Sequence, residues 1–364
     1  MRFIDEYRDG ELVKGIVGKV NELLEELGRE VKIMEVCGTH TMAIARHGLR
    51  TLFRRNLDLI SGPGCPVCVT PNSGFSLVFQ AAETGRTVAT FGDMMRVPFK
   101  GRSLSTLRGE GFDIRVVYSP YDALKMAEEE PEKEFVMAGI GFETTSPLFA
   151  SVILECRRRG VRNLRLISLF RLMPPALNTL LEAEDLQIDG LILPGHVSTI
   201  IGVKPYVEIV EKHGVPAVVT GFEPVDIVES IRMILKQLVE KRSMVENEYV
   251  RTVRHGGNIK AVKLMQEVFK PVDAEWRGLG KIAGSGLALK EEFKFFDAVE
   301  TYGLKPVETG EPPECLCGEV IRGRRKPVEC RLYRKACRPD NPVGPCMVSS
   351  EGTCAAYYYS GIGK

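Results

Sequence analysis

Short apolar runs alternating with amphipathic segments constrain this chain more than any other feature of its sequence. Runs at 31–36, 57–61, 87–91 and 114–118 have strand length, and helix-like segments at 41–46, 73–83 and 121–129 separate them. A second set repeats the layout, with runs at 135–140, 164–169, 190–193 and 216–220 and helical segments at 147–158, 174–182, 205–212 and 225–240. Such alternation predicts an α/β fold, because parallel strands need long crossovers and helices supply them on the faces of the sheet. Ahead of the first run, Leu12, Val13, Ile16, Val17, Val20, Leu23, Leu24 and Leu27 recur at helical spacing, and Gly28 is placed to end an opening helix.

The two halves echo one another at residue level. Val36-Cys-Gly-Thr-His-Thr41 has the form of Ile140-Gly-Phe-Glu-Thr-Thr145, and Leu59-Ile-Ser-Gly-Pro-Gly-Cys65 that of Leu191-Ile-Leu-Pro-Gly-His196. Val88-Ala-Thr-Phe-Gly-Asp93 pairs in the same way with Val218-Val-Thr-Gly-Phe-Glu223. The echoes predict an internal duplication into two similar Rossmann-like parallel-sheet domains, 1–120 and 121–240. Loops at the carboxyl ends of parallel strands line the ligand crevice. One copy would bring Cys37, His40, Cys65, Cys68 and Asp93 to an interdomain cleft, and the other Glu143, Thr144, His196 and Glu223. The Met- and Phe-bearing loop at 91–99 is open to two readings, a docking rim or core.

Ten cysteines in 364 residues are the chemical signature. In Ser61-Gly-Pro-Gly-Cys-Pro-Val-Cys-Val-Thr70 two thiols stand three residues apart on a loop shaped by Gly and Pro, a spacing that closes a small disulfide or grips one metal ion. Beyond 240 a charged helical stretch at 239–250 leads through Trp276 and a Gly-rich segment at 278–287 to a tail where periodicity is lost. That tail holds Cys315, Cys317, Cys330, Cys337, Cys346 and Cys354 among few large aliphatics, so a metal or cluster is expected to organise a third domain, 241–364. A four-iron cluster suits four irregularly spaced thiolates better than zinc, which favours paired Cys-x-x-Cys knuckles. The Cys-x-Cys start of the tail resembles ferredoxin:thioredoxin reductases. That likeness implies Cys315, Cys330, Cys337 and Cys354 as [4Fe-4S] ligands, with Cys317 and Cys346 as a redox pair. Cys156 lies on an apparent helix and reads as filler.

Charge narrows the partners. With 49 basic and 48 acidic residues, no global field draws the chain to nucleic acid or an anionic membrane surface. No apolar signal core opens the sequence and no run of eighteen apolar residues spans a bilayer, so a cytoplasmic location is expected.

Cys37-Gly-Thr-His-Thr41, Gly62-Pro-Gly-Cys-Pro-Val-Cys68, Gly141-Phe-Glu-Thr-Thr145, Pro194-Gly-His196 and the stretch from Asn341 to Tyr358, in this order, resemble the HypD family of hydrogenase maturation proteins. The resemblance implies a scaffold that works with a HypC-type chaperone to build the Fe(CN)2CO group of [NiFe]-hydrogenase, with cyanide delivered by HypE. It also implies a [4Fe-4S] cluster in the C-terminal domain. Carried onto this sequence, Cys37 is the iron-holding thiol, with Cys65 and Cys68 beside the same iron as a redox-active dithiol. His40 would lower the Cys37 thiol pKa, donate to cyanide or shuttle a proton. Glu143 and His196 would act opposite it as acid/base or hydrogen-bonding groups. A monomer is expected when free. The alternative from the enzyme class is a ferredoxin-dependent thiol-disulfide reductase.

Overall fold

Each of the eight apolar runs becomes a strand of a parallel sheet, but the strands sort between two sheets in an order that local pattern does not reveal. The computed structural model describes residues 5–363. The strands are β1 (Val31–Glu35), β2 (Leu57–Ser61), β3 (Thr87–Thr90), β4 (Ile114–Val116), β5 (Phe135–Gly139), β6 (Leu164–Ser168), β7 (Gly190–Pro194), β8 (Ala217–Thr220) and β9 (Val245–Asn247). The first sheet has the order β2-β1-β7-β8-β9 and the second β4-β3-β5-β6, with every neighbouring pair parallel. An antiparallel hairpin, β10 (Phe269–Trp276) and β11 (Gly280–Leu289), completes the strands and takes up the Gly-rich segment.

Boundaries at 120 and 240 therefore do not follow the sheets. The first sheet takes strands from all three expected domains, and β3 to β6, which straddle residue 120, make the second sheet between the two visits to the first. Strand periodicity reports which residues are extended but not which edge they join, and β1 finds its second neighbour in β7 rather than in β3. Both sheets share one winding, second strand, first, third, fourth. In that winding β1 corresponds to β3 and β7 to β5, so the sequence echoes do not align topologically equivalent strands. The charged stretch at 239–250 is also not helical throughout, because the helix Pro224–Val239 ends there and β9 follows.

The opening helix is α1 (Gly10–Leu27). Asp9 caps it by accepting from the amides of Glu11 and Leu12, and Gly28 ends it in a left-handed conformation with φ 60°. Val13, Ile16, Val17, Val20 and Leu24 pack with Val31 and Ile33 of β1 and with the helix Pro224–Val239, forming the outer layer of the first sheet. Residues of opposite parity, Met34 and Val36, point into a core shared with Val88, Val136 and Ala138 of the second sheet. The outer face of the second sheet is covered by the helices Pro120–Glu129, Ser146–Arg159 and Ile259–Val268 together with Phe269, Leu287 and Leu289 of the hairpin. Met94, Met95, Val97 and Phe99 are buried, which decides the 91–99 loop as core. Cys156 is likewise a buried filler. No helix among the described residues is long and apolar enough to cross a membrane.

Leu24 is fully buried between α1 and its neighbours. Leu24→Ala is expected to cost about 2–5 kcal/mol, the range for a buried Leu whose cavity does not collapse. A fall in the urea midpoint at unchanged slope is the result that checks it.

Candidate thiol and metal site

Parallel pairing of β1 with β2 sets the loops that follow them side by side. After β1 the chain turns at Cys37 into α2 (Gly38–Arg46), with Cys37 in extended conformation as the residue before the first helical turn. After β2 it runs through Gly62-Pro-Gly64 to Cys65, which precedes α3 (Pro66–Val69). The Gly38 amide donates to the Gly64 carbonyl at 3.1 Å. A Cβ on Gly64 would lie 2.4 Å from the Cys37 nitrogen, so only glycine permits this approach. Cys65 and Cys68 are joined by a disulfide, and Cys37 is a free, buried thiol.

Burial dominates the electrostatics. It pushes the Cys37 thiol up to about 12, helped by the negative charges of Glu351 and Glu35. His40 is buried and lowered to about 4, again by burial, so it is neutral near pH 7. Its Nε2–H donates to the carbonyls of Thr220 (3.2 Å) and Gly221 (2.9 Å), while Nδ1 has no partner among the described residues. An uncharged imidazole tied to backbone carbonyls sets no positive charge beside Cys37, and residue 40 lowers that thiol's pKa only through its backbone. The ring stacks on Phe222 at 4.7 Å, and His196 stacks on the same Phe222 at 4.0 Å. The structure thus brings His40 and His196 together across one aromatic ring.

Glu143 is no solvated loop carboxylate. It is buried, one oxygen accepts from the Met173 amide at 2.9 Å, and burial raises it to about 7. Tyr206 is buried, and both Glu143 and Cys37 lie near enough to act on it electrostatically when ionised. Asp93 lies close enough to the tail to act electrostatically on Glu351. Thr144 is exposed beside Glu143. Glu223 is not part of the cleft machinery, because Arg8 pairs with both of its oxygens.

Three further residues build the site, Glu351 from within the 341–358 stretch and Glu35 and Arg277 from outside every motif. Glu35 ends β1, where one oxygen accepts from the Cys37 amide (3.3 Å) and the other from the Thr41 hydroxyl (2.5 Å). The signal available was a carboxylate at a buried strand position, since it shares parity with Val31 and Ile33, which pack under α1. Glu351 comes from the tail, accepts from the Thr39 hydroxyl at 3.1 Å and packs directly on Gly38. Arg277, at the hairpin turn, donates to the Cys68 carbonyl at 3.0 Å.

The tail is laid on these loops. Its helix Thr353–Tyr359 packs against α2, the helix Cys317–Ile321 against α3, and the Cys68 sulfur faces the Pro345 carbonyl at 3.9 Å. All six tail cysteines, Cys315, Cys317, Cys330, Cys337, Cys346 and Cys354, line one cavity with Leu316, Val320, Leu332 and Met347. Cys317 and Cys346 are in contact, sulfur to sulfur at 3.0 Å. Among the described residues no three His, Cys, Asp or Glu side chains converge on a single ion. A lining of soft donors without carboxylate or imidazole fits an iron–sulfur cluster, whose ligands stand apart around a cube instead of meeting at one atom.

Comparison with known proteins gives a consistent result. The HypD family pattern, described as hydrogenase formation hypA family, matches residues 11–361. The chain is 42% identical over 370 residues to hydrogenase maturation factor HypD of Cupriavidus necator, covering 99% of this chain and 97% of that one. It is 42% identical over 364 residues to hydrogenase maturation factor HypD of Escherichia coli, covering 98% of each. The Azotobacter vinelandii protein of the same name is 41% identical over 369 residues, covering 99% of this chain and 97% of that one.

Two outcomes are expected at this site. Gly64→Ala forces a methyl group into the Cys37 backbone, so it should lower stability by about 1–3 kcal/mol, as overpacking does. It should also open Cys37 to alkylation, read by mass spectrometry. For Glu143 the raised folded-state value means that stability is lost as pH climbs from 4.5, where the unfolded group ionises, to about 7. Denaturation of Glu143→Gln should therefore gain on the parent protein across that window and run parallel to it above.

Proposed function

This chain belongs to the HypD family of hydrogenase formation proteins and has its role in hydrogenase maturation; we propose that it is the scaffold on which the Fe(CN)2CO group is assembled. A HypC-type chaperone and the cyanide donor HypE are its partners in this reading. The observation that carries it is the contact between the Cys37 and Cys65–Cys68 loops under a tail that lines one cavity with six thiols.

In this reading Cys37 holds the incoming iron as a thiolate and shares it with a cysteine of the chaperone. Thiolate suits low-spin iron that also carries cyanide and carbonyl. Burial holds the free Cys37 as a thiol, so iron binding releases its proton and tightens as pH rises. Glu35 fixes the Cys37 amide, and Glu351 keeps the tail seated on the next residue. His40 and His196 stack on Phe222; with its Nε2–H committed to backbone carbonyls, His40 keeps only an Nδ1 lone pair to take up a proton, and donation to the ligand nitrogens of the cargo falls to His196.

The Cys65–Cys68 disulfide takes up two electrons and two protons to give two thiols beside the iron. Cys315, Cys330, Cys337 and Cys354 would hold a [4Fe-4S] cluster, which supplies electrons one at a time when bound. That assignment leaves Cys317 and Cys346, whose sulfurs already touch, as the dithiol between cavity and cleft. The packing of the Cys317 helix on α3 supports that order.

The test is infrared spectroscopy of the protein purified anaerobically with a co-expressed HypC-type chaperone. Cys37→Ala should lose the cyanide and carbonyl bands while the visible absorbance of the tail cluster persists. Bands of normal intensity in that variant overturn the scaffold reading.

A further inference from the structure

We propose that Arg277 is the positioning residue of the Cys65–Cys68 couple, holding the two sulfurs within re-closing distance after their bond has been reduced. The inference rests on the reading that this pair cycles between disulfide and dithiol.

A helix of four residues cannot hold itself. α3 has two backbone bonds, from Val69 N to Cys65 O (3.1 Å) and from Thr70 N to Pro66 O (3.2 Å), and a cap from the Cys68 amide to the Cys65 sulfur (3.2 Å), while the carbonyls of Cys68 and Val69 have no helical partner. One residue meets both of these, and the carbonyl of Thr70 as well. The Arg277 amide donates to Val69 O at 2.7 Å, Nε donates to Cys68 O at 3.0 Å, and one terminal nitrogen donates to Thr70 O at 3.0 Å and Asn72 Oδ1 at 3.0 Å. The other terminal nitrogen pairs with Glu311. Arg277 is 3% exposed, so these bonds form where water does not compete, and charge-assisted bonds are the stronger kind.

The residue is itself clamped. Neighbouring Trp276 is buried and donates from its indole to Ser285 at 2.8 Å. On the other side Gly278, with φ 80°, lies against the backbone of Gly318 in the helix Cys317–Ile321. Arg277 is thus fixed between the Cys65–Cys68 turn and the segment that carries Cys317.

With the disulfide formed, the covalent link adds to the helical bonds, the Cys68 amide bond to the Cys65 sulfur (3.2 Å) and the Arg277 fork. Once it is broken, only those non-covalent bonds keep residues 65 and 68 together. A fork that keeps the thiols close raises their effective concentration, which favours the disulfide. Without it the reduced turn opens and gains entropy, so reduction becomes easier. Lysine offers one charged point and no planar fork, so it cannot substitute.

The experiment equilibrates the full chain with dithiothreitol buffers. The S–S bond breaks, two thiols form, and the small dithiol closes to its cyclic disulfide, delivering two electrons and two protons. Trapped Cys65 and Cys68 thiols are counted by mass spectrometry. Arg277→Met and Arg277→Lys are each expected to move the equilibrium about tenfold toward the dithiol, about 30 mV for a two-electron couple. Glu311→Gln, which spares the three carbonyl contacts, should stay at the parent value. No shift in Arg277→Met and Arg277→Lys, a shift toward the disulfide, or restoration by lysine overturns the proposal, the last because it would mean charge rather than geometry. Hydrogen exchange on the unmutated protein tests it without any variant. The Val69 and Thr70 amides should stay protected after reduction, and loss of that protection sinks the inference even if the variants do not fold. A Cys65–Cys68 bond that never exchanges with the dithiol would instead remove the redox reading itself.

Discussion

One backbone hydrogen bond, from Gly38 to Gly64 at 3.1 Å, governs the geometry of the site. It exists because β1 and β2 are parallel neighbours, so both chains leave the sheet at the same edge. It forms because Gly64 carries no side chain to keep the two loops apart. From this contact follow the start of α2 at Gly38, the seat of Glu351 on that glycine, and the juxtaposition of a free thiol with a disulfide. The tail adds a second constraint by packing on α2 and α3 at once. Neither loop can shift without moving the cavity that the six tail cysteines line.

Burial gives the cleft its chemical character. Glu35 and Glu143 are each raised to about 7, the Cys37 thiol is pushed to about 12 and His40 is lowered to about 4. All four shifts share one leading cause, the penalty of charge in a poorly solvated place, and all four favour the uncharged form. Near pH 7 this buried region therefore carries much less charge than its acids, thiol and imidazole would carry in water.

Much of this was legible in the chain. Eight of the nine parallel strands stand where apolar runs announced them, since a β-strand writes its burial into its own residues; β9 falls in the stretch read as a charged helix. Cys37, Cys65, Cys68, His40, Glu143 and His196 all sit in motifs that follow strands. Sheet membership was not legible, because nothing within β3 says whether its neighbour is β1 or β5. Echoes between loops misled for a related reason. Gly, Thr and Pro recur wherever a strand turns into a helix, so likeness of turns does not imply equivalence of strands. Glu35, Arg277 and Glu351 were not legible because their roles rest on neighbours that pattern does not specify: Glu35 bonds the Cys37 amide, Arg277 reaches the turn at 68–70, and Glu351 reaches Thr39. Glu223 drew attention by resemblance to Asp93, yet Arg8, far away in sequence, occupies it.

The interruption of one sheet by another bears on how the protein is made. Ile33 pairs with Gly190, so the inner edge of β1 waits through the synthesis of the entire second sheet before its partner leaves the ribosome. A nascent chain in that interval carries an open strand edge, and its Cys37 turn has yet to receive Gly221, Phe222 and Glu351. Pairings so distant along the polypeptide close late. The surroundings that bury the thiol of residue 37 are accordingly among the last things acquired in biogenesis.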